Sequence, residues 1–457
     1  MSMRWYKSIR SVLNGEPEMW LGYLRGQQLE SLDYLIENKP RYHGLLLNTL
    51  KFFYFVVRKW RPFSFHEIGK PGCYLFFAGT NNQIDSLTPT IEALSERNVY
   101  ITTIVTKKLL HKKEQKESYE PLAFNSMDIL KAIILIIIRG PFLYRELKKL
   151  HLNAANWWFS DFCLIYVYLV YFQRILSKAC PRFVIIANDH SPINRCILAI
   201  AHNLGVKTVY LQHASVSTLF PALRVNYAFL DGQCALDIYK KNERNQPNFE
   251  RQVPIPDIFL SGQKKPIINS RKKVSKNLGV ALNPLDDIEA AIDFINRLAD
   301  IGYDVIIRWH PGQVQNDIEK INNIFQTNSK VILNDPKNSH IGEFLSCIKW
   351  LIAGNSSIHL EAALMSIPSI YYELTPSSIP DYYGYVENGL AIKVNSIDEI
   401  NSLVKENVSI PDATGSIRYY SSTYQTIWEG QEGELVAEIL YSIAEGTKLP
   451  MEPIKLF

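Results

Sequence analysis

Two adjacent serines, Ser356 and Ser357, stand with Gly354 and Asn355 where an apolar run ends and a helical pattern begins. Glu361 follows one turn later. The start of a helix presents unpaired backbone N–H groups and the positive end of the helix dipole. Serine hydroxyls add donors and glycine allows close approach, a combination that suits a phosphate. A capping box would place the acid three residues after the serine. Ser357 and Glu361 are four apart, so Glu361 reads instead as an acceptor for ribose hydroxyls.

A second group is Arg308-Trp309-His310-Pro311-Gly312. Pro311 and Gly312 force a tight exit and hold His310 at the tip of an apolar run. An imidazole there, with Arg308 and Pro311 beside it, could meet a phosphate and stabilise a departing nucleotide. Three further groups occupy the first half of the chain. Asn188-Asp189-His190-Ser191 supplies a candidate general base, Asp189, with His190 beside it for an acceptor. Gln212-His213 supplies a rival base, His213. Gly79-Thr80-Asn81-Asn82-Gln83-Ile84-Asp85 resembles a weak phosphate loop without GxGxxG, and Asn81 and Asp85 could line an acceptor.

Each group follows an apolar run of strand length, so strands must position them. Tyr74–Phe77, Val99–Val105, Phe183–Ile186, Thr208–Leu211 and Tyr227–Leu230 read as strands alternating with helices. The pattern resumes at Leu278–Leu282, Asp304–Arg308, Val331–Leu333, 350–353 and 369–372. Apolar strands alternating with helices predict a parallel sheet covered on both faces. The expected organisation is α/β. It comprises an N-terminal helical segment (1–70), a first Rossmann-like domain (71–262), a proline-containing basic linker (263–276), a second Rossmann-like domain (277–415) and a C-terminal helical segment (416–457). Ligands of such sheets bind beyond the carboxyl ends of the strands, which places the expected site in an interdomain cleft.

The 457 residues suffice for two or three domains, and 47% hydrophobic with 21% charged residues describes an ordinary globular chain. A net charge of +4 does not suggest a nucleic-acid-coated protein. The six cysteines lack CxxC spacing, so no zinc or redox motif is visible and reduced thiols in a cytoplasmic setting are expected. No Walker loop, HExxH or well-placed DxD pair occurs, so no metal is required. The first twenty residues contain no uninterrupted apolar core of signal-peptide type. The runs 129–138 and 162–172 are short for a membrane span and read as buried helices. An alternative is a helix leaning on the cytoplasmic face of an inner membrane, with Lys107, Lys108, His111, Lys112, Lys113, Lys148 and Lys149 toward anionic lipid or an acidic acceptor.

His310-Pro311 after one strand and Asn355-Ser356-Ser357 with Glu361-Ala362 after another resemble the C-terminal half of GT-B glycosyltransferases. More narrowly, they resemble bacterial sialyltransferase-like and capsule or lipopolysaccharide Kdo or nonulosonate transferases. The resemblance covers about residues 72–415. It implies that His310 contacts the donor phosphate and assists departure of CMP, that Ser356 and Ser357 bind that phosphate, and that Glu361 binds the ribose. It also implies that Asp189 is the base. Two departures stand out: Asn188-Asp189-His190 replaces two acids and a glycine, and Ser366 stands where related chains often have glycine. The expected activity is metal-independent transfer of an acidic sugar, sialic or pseudaminic acid or Kdo, from CMP to a hydroxyl of a surface glycan or lipid-linked glycan, with no nucleic acid involved. The alternatives are a CDP-polyol phosphotransferase, in which His213 matters more, a UDP-sugar 2-epimerase-like isomerase, and a non-catalytic scaffold.

Overall fold

The computed structural model describes residues 4–22, 44–61, 68–106, 119–150, 152–218, 220–244, 255–264, 277–376, 379–406 and 413–456. The segments expected at 107–113 and at 265–276 of the linker lie outside the described residues. The chain divides into two compact units. Unit 1 comprises 1–213, 218–265 and 431–457, and unit 2 comprises 214–217 and 266–430.

Unit 1 opens with helices α1 (Arg4–Gly15), α2 (Glu18–Gly22) and α3 (Leu45–Arg58). It continues with β1 (Tyr74–Ala78), α4 (Asn81–Ser95), β2 (Ile101–Val105), β3 (Tyr119–Pro121), α5 (Ser126–Leu150) and α6 (Leu152–Ala179). Then come β4 (Phe183–Ile186), α7 (Pro192–Asn203), β5 (Lys207–Leu211), β6 (Tyr227–Leu230), α8 (Gln233–Arg244) and β7 (Asp257–Leu260). Unit 2 carries β8 (Leu278–Ala281), α9 (Ile288–Asp300), β9 (Val305–Arg308), α10 (Gln315–Phe325), β10 (Val331–Asn334), α11 (Ile341–Ser346) and β11 (Trp350–Ala353). It ends with α12 (Ile358–Leu364), β12 (Ser369–Tyr371), β13 (Ile392–Lys393), α13 (Ile397–Lys405) and α14 (Thr414–Tyr420). The chain then returns to unit 1 with α15 (Glu432–Glu445) and β14 (Ile454–Lys455).

The sheet of unit 1 has the order β14-β7-β6-β5-β4-β1-β2-β3 and that of unit 2 the order β10-β9-β8-β11-β12-β13. Among the described residues every strand pair is parallel except β14 on β7. Both faces of each sheet are covered, which is why the strands read as continuous apolar runs. In unit 2, Val305, Ile307, Trp350 and Ile352 enter one core. Their neighbours Ile306, Leu351 and Ala353 enter the opposite one, the period-two alternation of a strand.

The N-terminal helices belong to unit 1. Trp20 is buried between the guanidinium groups of Arg195, 4.3 Å from its ring, and Arg224, 4.9 Å away. Arg224 in turn pairs with Glu16 at 2.6 Å. Helix α15 packs on α4, and Gly433 makes this possible. A Cβ there would lie 2.4 Å from Pro89 Cβ and 2.6 Å from its carbonyl carbon.

Candidate functional site

Each sheet reverses its strand order once. In unit 1 the reversal lies between β1 and β4, and in unit 2 between β8 and β11. Such switch points open a crevice at the carboxyl ends of the strands, and polar residues gather at both.

In unit 2 a cavity of about 250 Å³ sits there, lined by Asn283, Asp286, Gly354, Asn355, Glu373 and Thr375 among others. Asn283 Nδ2 donates to the Asn355 carbonyl at 2.8 Å and ties the two strand exits together. Burial raises the Asp286 carboxyl pKa, opposed by the Asn283 N–H that Asp286 accepts. The Asn355 side chain is fully engaged: Nδ2 donates to the Ile379 carbonyl at 3.0 Å, and Oδ1 accepts the Tyr382 N–H at 2.9 Å. It therefore shapes the wall. Tyr371 Oη donates to Glu373 at 2.7 Å. Behind the loop, His359 is wholly buried. Its Nε2 bonds the Gly354 carbonyl at 2.9 Å and its Nδ1 bonds Ser369 Oγ at 2.5 Å. A carbonyl only accepts, so Nε2 carries the proton. Burial holds the His359 pKa down at about 4.

Ser356 and Ser357 are half-buried at the entry to α12. Ser356 Oγ accepts the Ile358 N–H at 3.4 Å, and Ser357 makes no side-chain cap bond. Glu361 is buried one turn into α12, close enough to Tyr383 and Tyr385 that its charge raises their pKa values after burial does. At the exit of β9, which β8 separates from β11, the Gly312 N–H donates to His310 Nδ1 at 2.9 Å. The neutral imidazole therefore presents Nε2–H, and desolvation of the ring lowers its pKa. Pro311 and Gly312 form the turn after it. Arg308, expected at the donor, ends β9. It is buried and donates to Asn334 Oδ1 and to the Ser339 carbonyl, the latter at 3.1 Å.

In unit 1, Asn188, Asp189 and His190 leave β4 beside the exit of β1. Asn188 Oδ1 accepts the backbone N–H groups of His190 (3.2 Å) and Ser191 (2.9 Å). This fixes the amide orientation, so Asn188 Nδ2 is the donor toward His190 Nε2 at 3.1 Å. The His190 proton then sits on Nδ1, 3.0 Å from Asp189 Oδ1. Asp189 Oδ2 accepts the Tyr239 hydroxyl from α8 at 2.8 Å. Asp189 is thus buried and occupied at both oxygens, while His190 is half-buried and packs tilted against Phe220, with ring centroids 4.5 Å apart. Burial and then the Asp189 charge push the Tyr239 pKa well up.

Asn81 is exposed at the start of α4, after Thr80 caps it through the Gln83 N–H, and Asp85 is half-buried one turn in. His213, one strand over after β5, is half-buried. Its neighbour Gln212 accepts the Asp231 N–H at 2.9 Å. Sequence reasoning missed Asn283, Asp286, Glu373, Thr375, Tyr239 and His359. Asn283 and Asp286 followed a predicted strand and were legible. The others depend on contacts between elements. Among the described residues, no group of three or more His, Cys, Asp or Glu is placed to hold a metal ion.

No known sequence family matches this chain, and no curated protein matches it. Solved structures do. A UDP-N-acetylglucosamine 2-epimerase superposes with a TM-score of 0.53 at 13% identity, over 84% of this chain and 99% of that one. The Neisseria meningitidis UDP-GlcNAc 2-epimerase bound to UDP-GlcNAc gives 0.52 at 12% identity, over 81% and 99%. The wall teichoic acid polymerase TagF, soaked with CDPG, gives 0.50 at 11% identity, over 98% and 99%. None of these three is a sialyltransferase or a Kdo transferase. At such identities the likeness is one of fold, and the chain has the two-sheet, Rossmann-like α/β architecture of GT-B proteins.

Proposed function

We propose that this protein is a metal-independent glycosyltransferase that moves a sugar from a nucleotide donor to a hydroxyl of a glycan, with a CMP-linked acidic sugar as donor. The observation that carries the reading is the polar cavity at the switch point of unit 2. Its lining includes the carboxylates Asp286 and Glu373 and the Thr375 hydroxyl, with Asn283 and Asn355 held in the wall by their own hydrogen bonds. These groups suit the uncharged base and ribose, and two acids repel a second phosphate. We assign a single phosphate to Ser356, Ser357 and His310; the fixed Nε2–H of His310 supports this as a donor. Glu361 is assigned to the ribose side and Gly354 to close approach.

Unit 1 supplies the acceptor chemistry. His190 has a proton held by Asp189 on Nδ1, and its Nε2 accepts the Asn188 amide N–H at 3.1 Å; an acceptor hydroxyl that displaces this amide meets an oriented general base. Asp189 is read here as the group that orients His190. His213 remains the competing base, and Asn81 and Asp85 remain acceptor contacts. A base acting on the acceptor hydroxyl favours direct displacement with inversion.

Thermal-shift titration of the full chain with CMP, CDP, UDP and GDP tests the donor. CMP should raise the melting temperature, and stabilisation by UDP without any by CMP would sink the CMP-sugar reading. One observation favours a second reading, transfer of a polyol phosphate from CDP: the likeness to TagF runs over 98% of this chain. Stabilisation by CDP far beyond that by CMP would select it.

A further inference from the structure

Helices α3 and α5 leave large apolar side chains in the open. On α3, Leu46, Leu50, Phe53, Tyr54 and Val57 are exposed, with Leu46 at 75% and Tyr54 at 66%. On α5, Leu130, Ile134, Ile137, Ile138 and Phe142 are exposed, with Ile137 at 69%. Spacings of three, four and seven put each set on one stripe of its helix. The opposite stripes are spent on α6: Phe52 and Val56 from α3, and Ala132, Leu135, Leu143 and Leu147 from α5, are buried.

The two stripes lie on antiparallel neighbours. The exit of α3 is joined to the entry of α5, with the Arg61 N–H bonded to the Phe124 carbonyl at 2.9 Å and Trp60 Nε1 to Ser126 Oγ at 3.2 Å. At the other end, Asn48 of α3 and Tyr144 of α5 both bond Asn156 of α6, at 2.8 and 3.0 Å. An apolar surface of this kind on a described domain calls for a partner.

Charge decides which partner. Residues 45–61 and 126–150 hold nine basic side chains against two acidic ones, although the whole chain is only +4. Asp128 pairs with Arg174 at 2.6 Å and Glu146 with Lys149 at 2.8 Å, while Lys51 pairs with Asp161 at 2.9 Å and Arg139 with Glu18 at 2.7 Å, so six of the nine cations stand outside these pairs. Exposed Arg58, Arg61, Arg145, Lys148 and Lys149 border the stripes, and Tyr54, Trp60 and Phe142 supply rings suited to a headgroup boundary. A second copy of the same surface would bring these cations against one another. One helix among the described residues is long and apolar enough to cross a membrane, at Ala155–Ala179, and 72% of its most apolar window is buried. It is the floor on which α3 and α5 lie.

We infer that the α3–α5 face docks, without crossing, on a lipid monolayer rich in anionic headgroups. Apolar stripes insert at the acyl boundary while the basic border meets the headgroups. This inference stands independently of the donor nucleotide.

The test is co-sedimentation of the full chain with vesicles of phosphatidylcholine alone and of phosphatidylcholine with 30 to 40 mol% (roughly one third) phosphatidylglycerol. Binding to the anionic vesicles should exceed that to the neutral ones at least tenfold and fall on raising salt. Leu50→Glu combined with Ile137→Glu should lower it at least tenfold with an unchanged melting temperature, both positions being solvent-exposed. A chain left in the supernatant with anionic vesicles overturns the proposal. So does equal binding by the double variant. A dimer in light scattering that the same substitutions dissociate would assign the face to a second copy and overturn it as well.

Discussion

Asp189 and His190 are neighbours in sequence, and a third residue orders their hydrogen bonds. Asn188 Oδ1 takes two backbone N–H groups, which leaves its Nδ2 facing His190 and sets the imidazole tautomer. If His190 is the base, His190→Ala should lower donor turnover, read as CMP release, by about 10²–10⁴-fold. The Asp189→Ala/His190→Ala double variant should fall no further, because the two act as a unit. Near-normal turnover in His190→Ala would return the role to Asp189 or His213. His359 is a different case, a buried histidine whose work is to pin the Gly354 carbonyl to β12. Its pKa is about 4 in the fold, against about 6.5 unfolded. Between those values the unfolded chain binds the proton and the folded chain does not. Stability is therefore full above about pH 6.5 and is lost as the pH falls toward 4, by roughly 3 kcal/mol. Urea unfolding across that range should show the decline, and His359→Gln should flatten it. An equally steep profile in the variant would refute the assignment.

At the scale of elements, α15 and α4 meet where neither sequence announces a partner. Gly433 lets the helix backbone come against Pro89, and Arg97 of the α4 exit pairs with Glu434. Gly433→Ala would otherwise gain helix propensity. Here the added methyl has backbone in its way, so we expect a net loss of about 1–3 kcal/mol, measurable as a lower thermal midpoint. A gain in stability would show that α15 shifts freely on α4. The strands behave more simply. Phe183–Ile186 and Trp350–Ala353 are buried at every residue, so their apolar runs were readable as strands before any contact was known.

For the whole molecule, the chain does not stay in one unit. Residues 431–457 return to unit 1 after unit 2 is complete, and Leu435, Val436, Ile439 and Leu440 of α15 are buried. A chain ending at Gly430 should lose on the order of 5 kcal/mol of unit 1 stability, at about 1.5 kcal/mol per buried side chain. Its near-ultraviolet circular dichroism melt should move down accordingly, and an unmoved melt would mean that α15 contributes nothing to that core.

The sequence by itself determined the class of fold and the strand ends at which polar residues would gather. Both follow from local patterns, apolar runs alternating with helical stretches and glycine or proline at the exits. His310, Asp189 and Ser356 were visible because each stands at such an exit. Only the tertiary structure decided which exits flank a switch point, because strand order is a property of pairing between distant segments. The cavity wall of Asp286 and Glu373, the bond of Arg308 to Asn334, and the clamp of Asp189 by Tyr239 are contacts between different elements of the chain. Hydrogen-bond partners of this kind leave no periodic trace in the sequence. They had to be seen in three dimensions.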